Sequence, residues 1–134
     1  MTPDEIRITS PTGMGERNDP GGFGFYGAKR GKSLHKGRDY KCVPGQDVVC
    51  PIKDGKIVRE ANPYVNSSFK GVLIQGQHIA VKLFYVNPWA HKIGKYIKRG
   101  ESFGDAQDIS QRYEDVTPHI HLQIDSLDPE MLEK

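Results

Sequence analysis

The chain has 134 residues, which is the length of one domain and enough to bury a core without a metal or a disulfide. Its 19 basic and 17 acidic residues leave a net charge of +2, which is too balanced to predict a nucleic-acid partner. No apolar run approaches the roughly 20 residues that cross a bilayer, so the sequence also predicts no membrane insertion.

The first residues after Met1 contain neither the basic nor the apolar segment of a secretion signal. We therefore expect no signal peptide, and a route to the site of action through lysis, injection or dedicated export. No heptad pattern and no long apolar edge is visible, so we predict a monomer.

The 15 glycines and 9 prolines are typical of short strands joined by tight turns, and they predict a mainly β protein with antiparallel sheets. We predict a single domain over residues 1–134. It consists of an irregular lead-in over 1–34, a core over 35–124 and a tail over 125–134.

Turn signals divide the core into short strands. Pro44-Gly45 predicts a turn, Asp54-Gly55 predicts a hairpin turn, and Asn87-Pro88-Trp89 is expected to end the central strand. Cys42 and Cys50 could form a disulfide across a hairpin or stay reduced, and their spacing leaves both open. The predicted strands are 39–43, 47–50, 56–61, 71–75, 79–86, 102–104 and 119–124.

Histidines occur in two patterns that suit metal binding. His35 and Asp39 are four residues apart, and His119 and His121 are two apart in a predicted strand. Because strand side chains alternate between faces, His119 and His121 lie on the same face. Two imidazoles on one face are costly to bury unless they have partners such as a cation.

These patterns predict one Zn²⁺ ion held by His35, Asp39 and His121. Catalytic zinc sites use three protein ligands and keep a fourth position for water, which leaves His119 beside the metal to handle a proton. Either pattern alone fits an exposed strand face or a simple hydrogen bond. Both patterns in one small β domain favour the metal.

The sequence resembles the lysostaphin/LytM-type zinc metallopeptidases of the LAS superfamily over roughly residues 8–124. The resemblance is carried by the opening segment, the metal motif, the strands that follow it, the turn before the last strands and the closing His-x-His. These are residues 8–20, His35-Lys36-Gly37-Arg38-Asp39, residues 43–58, residues 97–104 and His119-Ile120-His121.

The resemblance implies a duplicated hybrid motif fold in which antiparallel sheets form a groove over the zinc site. It implies His35, Asp39 and His121 as zinc ligands and His119 as the catalytic histidine. It also implies a substrate, the peptide cross-links of bacterial peptidoglycan, and therefore a place of action at the bacterial cell wall or periplasm.

One position departs from the family pattern. The peptidases carry a further active-site histidine at the end of the central strand, where this chain has Tyr85. His78 and His91 lie six or seven residues away and would need a bulge or a loop excursion to replace it. The segments Pro63-Tyr64 and 81–86 are also similar to leukocyte cell-derived chemotaxin, a vertebrate branch with the same change that keeps its zinc and is regarded as a non-peptidase ligand.

Two functions follow from these observations. In the first, the chain is a zinc endopeptidase in which activated water attacks the scissile carbonyl, His119 is the general base and Tyr85 donates a hydrogen bond to the oxyanion. In the second, the chain is a catalytically degenerate zinc-binding module that acts as a ligand-binding or signalling protein. His119 argues for the first function, and Tyr85 argues for the second.

Overall fold

The computed structural model describes residue 4, residues 7–16, 18–19, 22–23, 29–30 and 33–34, and the continuous segment 37–127. Within these residues the chain forms thirteen strands, two 3-10 turns and no α-helix, so the prediction of a mainly β protein is confirmed. The strands are β1 (Asn18–Asp19), β2 (Gly22–Phe23), β3 (Lys29–Arg30), β4 (Ser33–Leu34), β5 (Arg38–Lys41), β6 (Asp47–Val49), β7 (Asp54–Glu60), β8 (Gly71–Gln75), β9 (Ile79–Phe84), β10 (Val86–Pro88), β11 (Tyr96–Lys98), β12 (Ser102–Ala106) and β13 (His119–Leu127). The 3-10 turns cover Ala90–Lys92 and Ile109–Gln111.

The lead-in contains short pairs of strands rather than irregular chain alone. β1 pairs with β2 and β3 pairs with β4, each over two residues. Glu16 forms an isolated antiparallel bridge with Tyr40 of β5, which attaches the lead-in to the edge of the main sheet. No helix among the described residues is long and apolar enough to cross a membrane.

The main sheet has six antiparallel strands in the order β11-β7-β8-β9-β13-β5. The sequence predicts a central strand over residues 79–86. β9 covers Ile79–Phe84 and lies between β8 and β13, which confirms the central position and most of the predicted length. β13 is longer than predicted and extends to Leu127, so part of the predicted tail belongs to the sheet. The division of the chain into lead-in, core and tail otherwise stays a prediction.

A smaller antiparallel sheet of three strands has the order β10-β12-β6. Val48 of β6 and Phe103 of β12 are fully buried, as are Leu83 of β9 and Ile120 of β13 in the main sheet. All four side chains belong to one hydrophobic cluster. The two sheets therefore share a single core, which holds β13 and its histidines in place.

The predicted hairpin turn at Asp54-Gly55 is wrong. Both residues lie in β7, where Asp54 is opposite Lys98 and Gly55 is opposite Ile97 in β11. A Cβ atom on Gly55 would lie 2.6 Å from Cγ2 of Ile74. This glycine is therefore required by close packing inside a strand and not by a turn.

The central strand ends earlier than predicted, and it does not end at Asn87-Pro88. β9 stops at Phe84, and Tyr85 has a φ of 72°, a left-handed value that is uncommon outside glycine. Residues 86–88 then form β10 and pair with β12 in the small sheet. The backbone of Tyr85 thus carries the chain from one sheet to the other.

Cys42 and Cys50 are both buried free thiols, which resolves the alternative that the sequence left open. Burial raises the pKa of the Cys42 thiol to about 12 and that of Cys50 to about 11. Since the thiolate is the reactive form, both side chains are held in their unreactive state near neutral pH.

We expect neither thiol to react with iodoacetamide in the native protein at about pH 8, and both to react once the protein is unfolded. The folded pKa values lie above the ordinary value of roughly 8.5, so the native state binds more protons above that pH. The free energy of unfolding should therefore fall as the pH rises from about 9 towards 11. Mass spectrometry with and without urea measures the labelling, and rapid labelling of native protein would contradict the burial. A Cys42→Ala/Cys50→Ala variant should show a weaker pH dependence of stability.

Candidate metal centre

The pairing of β5 with β13 brings together residues that are far apart in the sequence. In this antiparallel register His121 is directly opposite Asp39, and His119 is opposite Lys41. Ile120 and Leu122 alternate with the two histidines and are buried in the hydrophobic core. The alternation that the sequence predicted for this strand is confirmed, and both imidazoles lie on the side of Asp39.

Asp39 contacts both histidines. Its Oδ1 atom lies 2.8 Å from Nδ1 of His121, and its Oδ2 atom lies 3.6 Å from Nε2 of His119. Asp39 is 2% exposed and His119 is 4% exposed, and they are the buried polar or charged side chains among the described residues. A carboxylate buried this deeply is costly unless positive charge or hydrogen-bond donors surround it.

Hydrogen bonds determine which nitrogen of each ring faces the carboxylate. The carbonyl oxygen of Thr117 can only accept, so His119 donates its Nδ1 proton across 2.8 Å and turns Nε2 towards Asp39. His121 also has one nitrogen facing Asp39 and the other facing a hydrogen-bond acceptor, but in this ring it is Nδ1 that faces Asp39. Its Nε2 faces the side-chain oxygen of Gln123 at 3.0 Å, while its Nδ1 faces Asp39.

This geometry favours a cation. A neutral His121 ring can donate to one of its two acceptors, Gln123 or Asp39, but not to both. When Nε2 donates to Gln123, the lone pair of His121 Nδ1 faces Oδ1 of Asp39 at 2.8 Å, an arrangement that a cation beside the two atoms would stabilise. An imidazole oriented by such a hydrogen bond beside a carboxylate is the donor arrangement that Zn²⁺ takes in proteins.

Gly37 makes room for the His121 ring. A Cβ atom at this position would lie 2.8 Å from Cε1 and 2.9 Å from Nε2 of His121, and would also collide with the carbonyl oxygen of Leu122. The glycine in the middle of the predicted His-x-Gly-x-Asp motif therefore has a steric reason, since any side chain would displace the imidazole.

The predicted third ligand, His35, lies outside the described residues. Within the segments that the structure describes, no three histidine, cysteine or acidic side chains are grouped closely enough to hold a metal. The pairing of Asp39 with His121 fits a zinc site that needs one more ligand. The complete set of His35, Asp39 and His121 stays a prediction.

Tyr85 lies next to His119. Their rings are 5.3 Å apart between centroids and nearly perpendicular, at 86°. The Tyr85 backbone N–H donates to the carbonyl of Lys70, and its own carbonyl accepts from the N–H of Gln107. The Gln107 side chain in turn accepts from Lys70 N–H at 2.8 Å, so the left-handed backbone of Tyr85 is held from both sides.

Neither alternative histidine takes the position of Tyr85. His78 lies in the turn between β8 and β9, at the opposite end of β9 from Phe84, whose neighbour is Tyr85. His91 stacks on Trp89 with ring centroids 5.9 Å apart. Among the described residues, Tyr85 is therefore the side chain that follows β9 and lies beside His119, and its correspondence to a histidine of the peptidases stays a prediction.

Two neighbours of His121 were not anticipated from the sequence. Gln123 holds its Nε2 atom, and Phe84 stacks on its ring at 5.5 Å with an interplanar angle of 6°. The signal for Gln123 was present, because it follows His121 by two residues and so lies on the same face of the strand. Phe84 is opposite His121 across the β9–β13 pair, a register that only the folded sheet shows.

The similar structures define the fold: the chain has the fold of the lysostaphin/LytM-type peptidases of group M23, as the sequence predicted. No protein-family model and no curated protein sequence matches the chain.

Three solved structures illustrate the similarity. A Pseudomonas aeruginosa protein provisionally assigned as a peptidase M23 superimposes with a TM-score of 0.62 at 19% identity, over 95% of this chain and 48% of that one. A zinc-containing peptidase from Vibrio cholerae superimposes with a TM-score of 0.59 at 19% identity, over 90% of this chain and 37% of that one. The catalytic domain of the antimicrobial peptidase lysostaphin from Staphylococcus simulans superimposes with a TM-score of 0.54 at 22% identity. This match covers 86% of this chain and 90% of that one. The chain thus spans less than half the length of the first two proteins and most of the lysostaphin catalytic domain.

Proposed function

We propose that the chain is a zinc-dependent endopeptidase that cleaves peptide cross-links of bacterial peptidoglycan, and therefore acts at the bacterial cell wall. The observation that carries the proposal is the buried carboxylate of Asp39 with His121 Nδ1 at 2.8 Å and His119 Nε2 at 3.6 Å. The fold adds support, because similar structures are described as peptidases and one of them as containing zinc.

In this proposal His35, Asp39 and His121 hold the zinc ion. Bound zinc supplies Lewis acidity, which polarises a carbonyl group and makes water acidic enough to attack it near neutral pH. Gln123 orients His121 through Nε2, which keeps Nδ1 available as a ligand atom.

His119 is the general base. Its Nδ1 atom is already committed as a donor to the Thr117 carbonyl, so Nε2 is the atom that accepts a proton from the attacking water. The same nitrogen then returns the proton to the departing amine. Burial of the ring keeps it in one orientation throughout.

Tyr85 acts as a hydrogen-bond donor to the substrate. Its hydroxyl lies 3.1 Å from that of Tyr64, and its ring contacts the ring of His119. A phenol with an ordinary pKa of about 10 is a poor base near neutral pH, but its O–H can donate to the negative oxygen that develops on the scissile carbonyl.

The test is incubation of the zinc-loaded protein with purified peptidoglycan, followed by quantification of new free amines. We expect cleavage that a chelator abolishes and added zinc restores. Tyr85→Phe removes one oxyanion donor and should lower the rate roughly 100-fold while leaving zinc content unchanged. Cleavage that persists in chelator would contradict the zinc mechanism.

One feature favours a second function, that of a zinc-binding module without turnover: by the resemblance, Tyr85 corresponds to a position where the peptidases have a histidine. In that case the wild-type protein would bind zinc and release no amines, and Tyr85→His would create activity. For the peptidase we expect the opposite order, with the wild type active and Tyr85→His giving no such gain.

A further inference from the structure

A cluster of three tyrosines and one arginine extends from His119 towards the surface. We call Tyr64, Tyr85, Tyr113 and Arg112 the tyrosine–arginine cluster. The Tyr64 hydroxyl lies 3.1 Å from that of Tyr85 and 3.5 Å from that of Tyr113, and Arg112 Nε donates to the Tyr113 hydroxyl at 3.1 Å. The cluster therefore links the candidate catalytic histidine, His119, to the positive charge of Arg112.

The guanidinium of Arg112 is held in position by aromatic rings. Its Cζ atom lies 4.2 Å from the ring centroid of Tyr64 and 5.6 Å from that of Tyr113, both within the range of cation–π attraction. The side chain is exposed, and none of its contacts among the described residues is with a carboxylate. Arg112 thus offers a positioned positive charge that no acidic group of the described chain neutralises.

The polar atoms beside Arg112 favour negative charge. Hydrogen bonds from Tyr64 and from Arg112 lower the pKa of the Tyr113 hydroxyl. The pKa of the Tyr64 hydroxyl is raised, mainly because it is more buried, so Tyr64 remains a donor. Arg112 donates to Tyr113 through Nε, and the guanidinium carries further N–H groups that can donate to an incoming anionic oxygen.

We propose that Arg112, together with the Tyr64 and Tyr113 hydroxyls, binds a carboxylate of the peptide ligand. This inference rests on the proposed function, and it names the substrate class: peptides that carry a free carboxylate near the scissile bond. A guanidinium pairs with a carboxylate through two parallel hydrogen bonds, which suits recognition by shape as well as charge.

The experiment compares binding of two probes to the zinc-loaded protein. One is a stem tetrapeptide released from peptidoglycan, and the other is the same peptide with its carboxyl groups amidated. We expect the wild type to bind the carboxylate form about tenfold or more tightly, by titration calorimetry. Arg112→Gln should remove this preference, whereas Arg112→Lys should keep part of it.

Arg59→Gln is the matched control, because Arg59 is an exposed arginine of β7 whose guanidinium contacts the carbonyl of Glu60. This variant should keep the full preference. Equal binding of the two probes by the wild type, or a preference that survives in Arg112→Gln, would overturn the carboxylate subsite while leaving the peptidase proposal standing. Binding with the preference but no cleavage would support the subsite and overturn only the peptidase. A wild type that binds neither probe would likewise overturn the subsite, and the peptidase would still be decided by amine release from peptidoglycan.

Discussion

Asp39→Asn is expected to abolish zinc binding while leaving the fold intact. Asparagine has the shape of aspartate, but it carries no charge and offers one acceptor oxygen to two imidazoles that now face Oδ1 and Oδ2. We expect the zinc content to fall from about one ion per chain to almost none. Metal analysis after dialysis measures this directly.

The same variant should also lose the stabilisation that zinc provides. At a zinc concentration about 100 times the Kd, a ligand that binds only the native state adds about 2.7 kcal/mol, or on the order of 10 °C in Tm for a chain of this length. Circular dichroism melts with and without zinc should show this shift for the wild type only. The control is Asp125→Asn, since Asp125 lies on the same strand as His121 but pairs with Lys82 at 3.3 Å. Stoichiometric zinc in Asp39→Asn would disprove the metal site.

His119→Gln is expected to separate catalysis from metal binding. Removing a general base typically costs a factor of about 10²–10⁴ in rate, and glutamine cannot take up a proton at neutral pH. Because His119 is not among the predicted ligands, zinc content and the zinc-dependent Tm shift should stay close to those of the wild type. The rate of amine release from peptidoglycan and the zinc content should be measured on the same samples.

His91→Gln provides the comparison for this substitution. His91 stacks on Trp89 in a 3-10 turn outside the site, so its replacement should leave the cleavage rate and the zinc content unchanged. Loss of zinc in His119→Gln would reassign His119 as a ligand. A wild-type rate in that variant would remove it from the mechanism.

Local patterns were enough to predict much of this architecture. Alternation along residues 119–122 predicted that His119 and His121 share a face, and the structure confirms this. The apolar segment 79–86 predicted a central strand, which the structure confirms over Ile79–Phe84. The hairpin-turn prediction failed because the glycine on which it rested is required for packing between strands and not for a turn. Gly55 resembles a turn glycine in sequence, but it is packed against Ile74 inside β7.

The partners of the site residues were harder to predict, because they depend on strand register. Residues 39 and 121 meet because β5 and β13 pair at that position, and no local signal carries this information across 82 residues. The tyrosine–arginine cluster was equally hard to predict, since Tyr64, Tyr85 and Arg112 come from three separate loops or strand ends.

By itself, the sequence determined the mainly β class, the resemblance to lysostaphin-type peptidases and the kinds of side chain available for a metal, since these follow from local periodicity and residue chemistry. Only the tertiary structure decided which nitrogen of each histidine faces Asp39, that Tyr85 lies against His119, and that a guanidinium is positioned beyond it. The reason is physical: hydrogen bonding and electrostatics depend on distances between atoms, and those distances are set by the packing of two sheets around one core.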